Sequence, residues 1–304
     1  MRAINLLTVL ILLCMLLNAC SGSSTPSAEL SGLKVLATES FLGDIAQNVA
    51  GERVKVEILI PFSVAPHEFE PKPQDITKIA QSDVLIVNGL GYEAWLKNTL
   101  ENITGQHLLV VASSAISPSP DPSGEHPEGD PHMWMNPLNV VKYVETIRDG
   151  LSQADPAGKD IYARNAEAYI AQLKDLDEWV KTELNQLSME KRLLVTNHDA
   201  LGYFAEAYGF KVVGTVIPGV SDAASPSAQE MAALVETIKS SGAPAIFLDV
   251  GENETLAQQI ALETGVKVVS DIYVEGISAP DGPAPTYIDM IKYDVLRIIA
   301  ALKG

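Results

Sequence analysis

The sequence predicts an α/β protein built as two four-stranded parallel-sheet βα lobes joined by one long rigid helix. Three observations predict it. The strand-like segments are continuous apolar runs, such as Asp83-Val-Leu-Ile-Val-Asn88 and Leu108-Leu-Val-Val-Ala112, the pattern of parallel strands covered on both faces. Strand-like and helix-like segments alternate through one half of the chain and again through the other, as expected of repeated βα units. Between the halves runs an uninterrupted helical stripe of Tyr162, Ala166, Tyr169, Leu173, Leu176, Val180, Leu184 and Leu187, with no Gly or Pro after Gly158.

Taken in order, Lys34 to Thr38 reads as a strand, followed by a helix through Ile45 and Val49. Val54 to Ile60 is a second strand, and a helix near Ile76 to Ala80 leads into the third, Asp83 to Asn88. Gly91 to Ile103 reads as a helix because Tyr92, Trp95 and Leu96 recur at helical spacing; Leu108 to Ala112 is the fourth strand. Ser113 to Pro131 is a loop rich in Pro, Ser, Gly and acids; loops of that length are functional or mobile. Asn136-Pro137 marks a helix start, an Asn cap with Pro at the first helical position, and the helix runs to about Leu151. Asp155-Pro156 opens the long helix, which at roughly 30 residues spans on the order of 45 Å and reads as a strut between the lobes. The second half repeats the scheme: strands at Arg192–Thr196, Lys211–Ile217, Ala245–Val250 and Val266–Ser270, and helices at Asp199–Tyr208, Ser227–Ser240, Asn253–Thr264 and Thr286–Leu302.

The first residues stand outside this fold. Ile4 to Leu17 is almost wholly apolar, shorter than the roughly 20 residues of a membrane span, and reads as a secretory signal. Leu17-Asn18-Ala19-Cys20 resembles a bacterial lipobox, so Cys20 is expected to become the lipid-bearing N-terminus; the alternative is an ordinary signal peptide with an incidental cysteine. The expected organisation is a signal peptide over 1–19, a lipidated flexible tether over 20–31, an N-terminal lobe over 32–154, the linking helix over 155–188 and a C-terminal lobe over 189–304. Cys14, the only other cysteine, lies within the signal, so the exported chain has no disulfide to stabilise it. Losing the signal takes Arg2 from the 21 basic residues and nothing from the 39 acidic ones, so the net charge moves from −18 to −19. That charge argues against nucleic acid or anionic membrane as a partner.

Four residues collect at the carboxyl ends of predicted strands, where open α/β sheets bind ligands. His67 follows the second strand, His132 the fourth, His198 the strand Arg192–Thr196, and Asp271 the strand Val266–Ser270. Taken singly each has a structural use: a hydrogen-bonded loop histidine, a buried polar residue, a turn-capping aspartate. Two from each lobe, placed alike, point to a cation in the cleft between the lobes. Three imidazoles and a carboxylate suit zinc, and manganese would accept them. His107, at a strand entrance on the opposite edge, is read as structural. His126, in the long loop, is read as capturing or handing over metal or as a solvated loop histidine.

Pro66-His-Glu-Phe-Glu-Pro-Lys-Pro-Gln-Asp75, Asn88-Gly-Leu-Gly-Tyr-Glu-Ala-Trp95, Asp130-Pro-His-Met-Trp-Met-Asn-Pro137, Thr196-Asn-His-Asp-Ala-Leu-Gly-Tyr-Phe204 and Ser270-Asp271 together resemble the metal-binding solute-binding proteins of bacterial ABC transporters, the ZnuA-like or TroA-like zinc and manganese uptake group. The resemblance covers essentially the whole exported chain. It implies two lobes bridged by a rigid helix, metal held between them by residues matching His67, His132, His198 and Asp271, and docking of a monomer on a membrane permease. The chain departs from many zinc-type relatives in lacking a long His-rich loop before the second ligand, and from some in lacking a disulfide in the second lobe. It departs from manganese-type relatives, which usually carry Glu where His198 stands, and this favours zinc. Two readings compete. A zinc hydrolase would use three histidines with Glu68 as base, but Asp271 closes the expected shell and there is no His-Glu-x-x-His pair. A surface adhesin is compatible with the lipid anchor, though no residue points to it.

Overall fold

Buried, β-branched strands set the architecture. The computed structural model describes residues 32–303 apart from 63, 65, 104–106, 122 and 220–225; Cys20, the tether and the signal lie outside the described residues. In the N-terminal half, β1 (Val35–Ala37), β2 (Val56–Ile58), β3 (Val84–Val87) and β4 (Leu108–Val111) form an all-parallel sheet of order β2-β1-β3-β4. In the C-terminal half, β5 (Leu193–Thr196), β6 (Lys211–Thr215), β7 (Ala245–Asp249) and β8 (Lys267–Ile272) repeat it as β6-β5-β7-β8. The order reverses direction between β1 and β3 and again between β5 and β7, so each half has a switch point, with a crevice at the carboxyl ends of its strands.

Helices cover the sheets: α1 (Ser40–Ala50), α2 (Pro73–Gln81), α3 (Ala94–Asn102) and α4 (Pro137–Ala154), then α5 (Lys159–Leu184), then α6 (Gly202–Tyr208), α7 (Ala228–Ser241), α8 (Thr255–Thr264) and α9 (Tyr287–Lys303). Local chemistry accounts for their ends. The Asn136 side chain accepts the Leu138 N–H at 2.9 Å, with Pro137 at the first helical position of α4. Ser227 and Glu230 form a reciprocal capping box on α7, which satisfies N–H groups the helix cannot. Most elements fall within a few residues of the expected spans. Two shifts matter. α6 begins at Gly202 rather than Asp199, leaving His198 on an irregular segment. β8 runs to Ile272, so Asp271 lies inside a strand instead of beyond its end.

The long helix α5 has 26 residues and follows a short 3-10 turn over Pro156–Gly158. Its buried face carries Tyr162, Ala166, Tyr169, Leu173, Leu176, Val180 and Leu184, the expected stripe, and Leu187 is buried just beyond its end. α5 packs against α1 and α4 of the N-terminal half and α9 of the C-terminal half. The largest apolar cluster therefore runs through both halves, from Phe41, Trp134 and Tyr143 through Leu173 to Phe247, Met290 and Ile299. Each sheet's other face has its own smaller core, one around Ile79 and Leu85, the other around Ile246 and Ile260.

Polar ties reinforce the junction. Asp44 on α1 accepts the Tyr287 N–H at the start of α9 at 2.9 Å, and Ser40 Oγ accepts the Ile277 N–H at 3.0 Å. Burial pushes the Asp44 carboxyl up to about 6; the Tyr287 N–H opposes this and the Asp289 charge adds to it. The folded chain thus keeps a proton on Asp44 that the unfolded chain releases near its ordinary value of about 3.9, and the stability linked to this group falls as pH rises from there to about 6. Asp44→Asn keeps an acceptor for Tyr287 and removes the ionisation. Its stability relative to the parent should therefore rise between pH 4 and pH 7. Urea midpoints at both pH values check this, and a difference that does not change with pH would refute it.

Candidate metal centre

Four donor atoms converge where the two halves meet. His67 sits in a 3-10 turn (Pro66–Glu68) after β2, and His132 directly precedes another (Met133–Met135) after the long loop from β4. His198 lies two residues past β5 and Glu275 three past β8. All four therefore lie beyond carboxyl ends of strands, two in each half. One ligand atom from each lies within 4.8 Å of the others. Nε2 of His67, His132 and His198 and Oε1 of Glu275 are all buried with no hydrogen-bond partner. Nε2 of His67 and of His198 stand 3.2 and 3.4 Å from Glu275 Oε1, at ion-pair distance but off hydrogen-bond geometry. Leaving buried polar atoms unpaired costs about 1–3 kcal/mol each, and four gathered in one place, three imidazole nitrogens and a carboxylate oxygen, make a donor set that fits a cation. Ligands about 2.1 Å from a tetrahedral ion stand roughly 3.4 Å apart, so a small contraction of this set would close around one.

Each donor is aimed by its neighbours. His132 Nδ1 lies 2.8 Å from Asp130 Oδ1, which also accepts the His132 N–H at 2.9 Å. A proton on Nδ1 leaves the Nε2 lone pair to face the site, the carboxylate–histidine arrangement common to metal centres. Asp130 is placed in turn by Tyr203 of α6, whose hydroxyl donates to the Asp130 carbonyl at 2.9 Å. The Thr196 hydroxyl donates to the His198 carbonyl at 2.7 Å. Tyr92 packs edge-on against His67, ring centroids 4.6 Å apart. Asp249, at the end of β7, accepts the N–H groups of Val274 and Glu275 at 2.8 and 3.1 Å and folds the segment after β8 back toward the site. Gly276 completes that turn: a Cβ there would meet Ser40 Oγ at 2.9 Å.

The electrostatics follow from burial against pairing. Burial depresses His132 to about 4, outweighing the pull of Asp130, so its imidazole is neutral near pH 7. Burial also opposes a charge on His198, but the Glu275 carboxylate outweighs it and holds His198 above its ordinary value. Glu275 is held well below the usual carboxylate range: burial pushes it up, and the charges of and contacts to His67 and His198 more than compensate. Burial, with the Glu275 charge adding, pushes Asp249 up to about 7. The centre is thus arranged around one firmly ionised carboxylate. A cleft of about 410 Å³ opens beside it between the halves, lined by Glu39 and Phe62 on one side and Asp249, Glu252 and Ser278 on the other.

Of the residues expected at the site, the structure brings His67, His132 and His198 together and leaves Asp271 out. The Asp271 side chain is 41% exposed and pairs with Arg297 Nη2 at 2.7 Å and the Tyr293 hydroxyl at 2.9 Å, both on α9. The reason is the extra length of β8: Asp271 is a strand residue whose side chain meets α9, and the chain travels to Glu275 before it reaches the converging donors. Sequence reading missed Glu275; the available signal was Glu275-Gly276, an acid before a glycine four residues farther on. His126 also differs from a solvated loop residue: it is only 8% exposed and its ring lies 5.6 Å from that of His67. The side chain of Glu68 lies outside what the structure describes.

Residues 35–301 match the family model described as zinc-uptake complex component A, periplasmic. The chain is 35% identical to the manganese-binding lipoprotein MntA of Halalkalibacterium halodurans, over 97% of both chains. It is 32% identical to the iron-binding protein YfeA of Yersinia pestis, over 97% of this chain and 94% of that one. Among solved structures, the periplasmic zinc-binding protein TroA of Treponema pallidum superposes with a TM-score of 0.81 at 28% identity, covering 89% of this chain and 99% of that one. The chain belongs to the ZnuA family, the extracytoplasmic metal-binding proteins of bacterial ABC transporters, which bind substrate and are not enzymes.

Proposed function

We propose that this protein captures one divalent first-row transition-metal ion through His67, His132, His198 and Glu275 and hands it to the permease of an ABC importer. The observation that carries the reading is the set of four buried, unpartnered donor atoms drawn from both halves within 4.8 Å. Four protein donors complete a tetrahedral shell and leave no position for an activated water, which favours holding a cargo over hydrolysis. Three imidazoles place zinc above manganese, since nitrogen ligands and the order of the divalent series both favour it. A manganese reading has support of its own: the relative at 35% identity is named for manganese. The two halves act as the lobes of 32–154 and 189–304, with 155–188 linking them as a strut. We propose a lipid on Cys20 as the anchor and a monomer as the working form.

Three predictions follow from the site and one from the anchor. In titration calorimetry at pH 7 the chain should bind one zinc. Glu275→Ala and His198→Ala should weaken binding strongly, while Asp271→Ala, which removes only a contact to α9, should not. Loss of affinity in Asp271→Ala equal to that in Glu275→Ala would overturn the assignment, and tighter binding of manganese than zinc would keep the site and reverse the choice of ion. Because histidine ligands must be neutral and Glu275 holds His198 above its ordinary value, protons should compete with the metal already above about 6.5, and affinity should fall as pH is lowered through that range. Asp130→Ala should cost about 10–100-fold in affinity by freeing the His132 ring; affinity unchanged in that variant would show that Asp130 does not orient the ligand. Cys20→Ala should move the protein from the membrane to the soluble fraction, and full retention on the membrane would rule out the anchor.

A further inference from the structure

The last helix, α9, packs against β7 and β8, at the strand end from which the chain leaves for Glu275. The sheet ladder holds that chain as far as Ile272, whose carbonyl accepts the Val250 N–H at 2.8 Å. Beyond it the backbone rests on side chains. Asp294 of α9 accepts the Tyr273 N–H on Oδ1 at 2.9 Å. Asp249 accepts the next two, from Val274 at 2.8 Å and Glu275 at 3.1 Å. Trp134 donates to the Val274 carbonyl at 2.8 Å. The amides of Tyr273, Val274 and Glu275 are thus taken in sequence by two carboxyl groups from different elements.

Asp294 is an unusual group to find at this position. It is 2% exposed, and its helix neighbours Met290, Ile291, Val295 and Ile298 are buried and apolar. Its Oδ2 is buried with no hydrogen-bond partner. A carboxylate held in this way is costly, and a neutral carboxylic acid much less so. Burial does push Asp294 well above the usual carboxylate range; the Tyr273 N–H opposes this, and the charges of Asp249 and Asp271 add to it. Asp294 therefore offers the backbone a neutral acceptor. The contrast with Asp271 on the same stretch is direct: that carboxylate is half in solvent and meets only side chains of α9, whereas Asp294 holds main chain two residues before a donor.

Building on the four-donor reading above, we propose that Asp294 is a positioning residue for Glu275: its bond to the Tyr273 N–H sets the direction in which the chain leaves β8 and so brings Glu275 Oε1 to the three imidazoles. Asp294 is not among the converging donors, so it acts through Glu275. Each residue after the ladder has two soft backbone dihedrals, and a turn of the Tyr273 peptide is carried directly to the carboxylate two residues on. The role needs an acceptor and no charge, so Asn can fill it and an apolar side chain cannot.

The test is zinc titration calorimetry on the full chain at pH 7. It compares the parent with Asp294→Ala, Asp294→Asn, Glu275→Ala and the double variant Asp294→Ala/Glu275→Ala. Ile298→Val, a core truncation on the same helix, controls for stability alone. Asp294→Ala should bind zinc about tenfold more weakly than the parent, the scale of effect of a lost outer partner of a metal ligand, and Asp294→Asn should bind within about twofold of it. Ile298→Val should lower the melting temperature and leave affinity unchanged. Because Asp294 acts through Glu275, adding Asp294→Ala to Glu275→Ala should weaken binding no further. With cobalt(II) as a visible probe, Asp294→Ala should alter the absorption of the loaded site and Asp294→Asn should restore it. If Asp294→Ala does not fold, Asp294→Leu fills the space without an acceptor and should show the same loss. Affinity unchanged in the variant lacking the acceptor, no rescue by Asn, or an equal loss with and without Glu275 would overturn the proposal. Parent affinity in Glu275→Ala would instead overturn the four-donor site itself.

Discussion

Trp134 is the contact on which the arrangement depends. Its indole is fully buried, stacks on Phe41 of α1 with ring centroids 4.4 Å apart, and meets Tyr92 at 4.9 Å and His132 at 5.3 Å. Its Nε1–H donates to the Val274 carbonyl at 2.8 Å, and its own carbonyl accepts the Tyr287 hydroxyl at 2.7 Å. One side chain from the N-terminal half thereby packs beside one donor, His132, and fixes the backbone immediately before another, Glu275, in the other half. Tryptophan suits the position because it supplies a large apolar body and a single donor that finds its acceptor at the far edge of the ring.

The same junction constrains motion. Because α5 and the large apolar cluster are shared by both halves, a wide hinge opening would expose Trp134, Leu173 and their neighbours to water, at about 25 cal/mol for each Å² uncovered. Movements confined to segments outside that core are far less costly. The segment after β8 that carries Glu275 and the loop that carries His126 are both irregular and both border the centre.

The centre balances its own charge in the same economical way. One carboxylate, Glu275, is held ionised by the histidines around it, while burial keeps His132 neutral and biases Asp249 toward its protonated form. A divalent cation at the proposed site would compete with a proton mainly on His198, which Glu275 holds above its ordinary value, since burial keeps His132 neutral. Its affinity then depends on how well the surrounding hydrogen bonds hold the four donors in place, and Asp130, Thr196 and Asp249 each do this for one of them.

The sequence by itself determined the sheets, the long helix and three of the four converging donors. Strands of β-branched residues, a stripe free of Gly and Pro and an Asn-Pro cap are local signals, and parallel sheets place ligands at predictable strand ends. His67, His132 and His198 were legible because histidine is scarce and each lies on a segment beyond the carboxyl end of a strand. Only the tertiary structure decided the fourth donor. Two carboxylates, Asp271 and Glu275, stand four residues apart after one apolar run, and nothing local says where β8 stops. That depends on pairing with β7, on the Asp249 turn, and on Arg297 and Tyr293 of α9 taking up Asp271. Nor could composition tell that the Pro- and Ser-rich loop is held to the other half with His126 buried inside it, because the hydrogen bonds that fasten it come from Tyr203, far away in the chain.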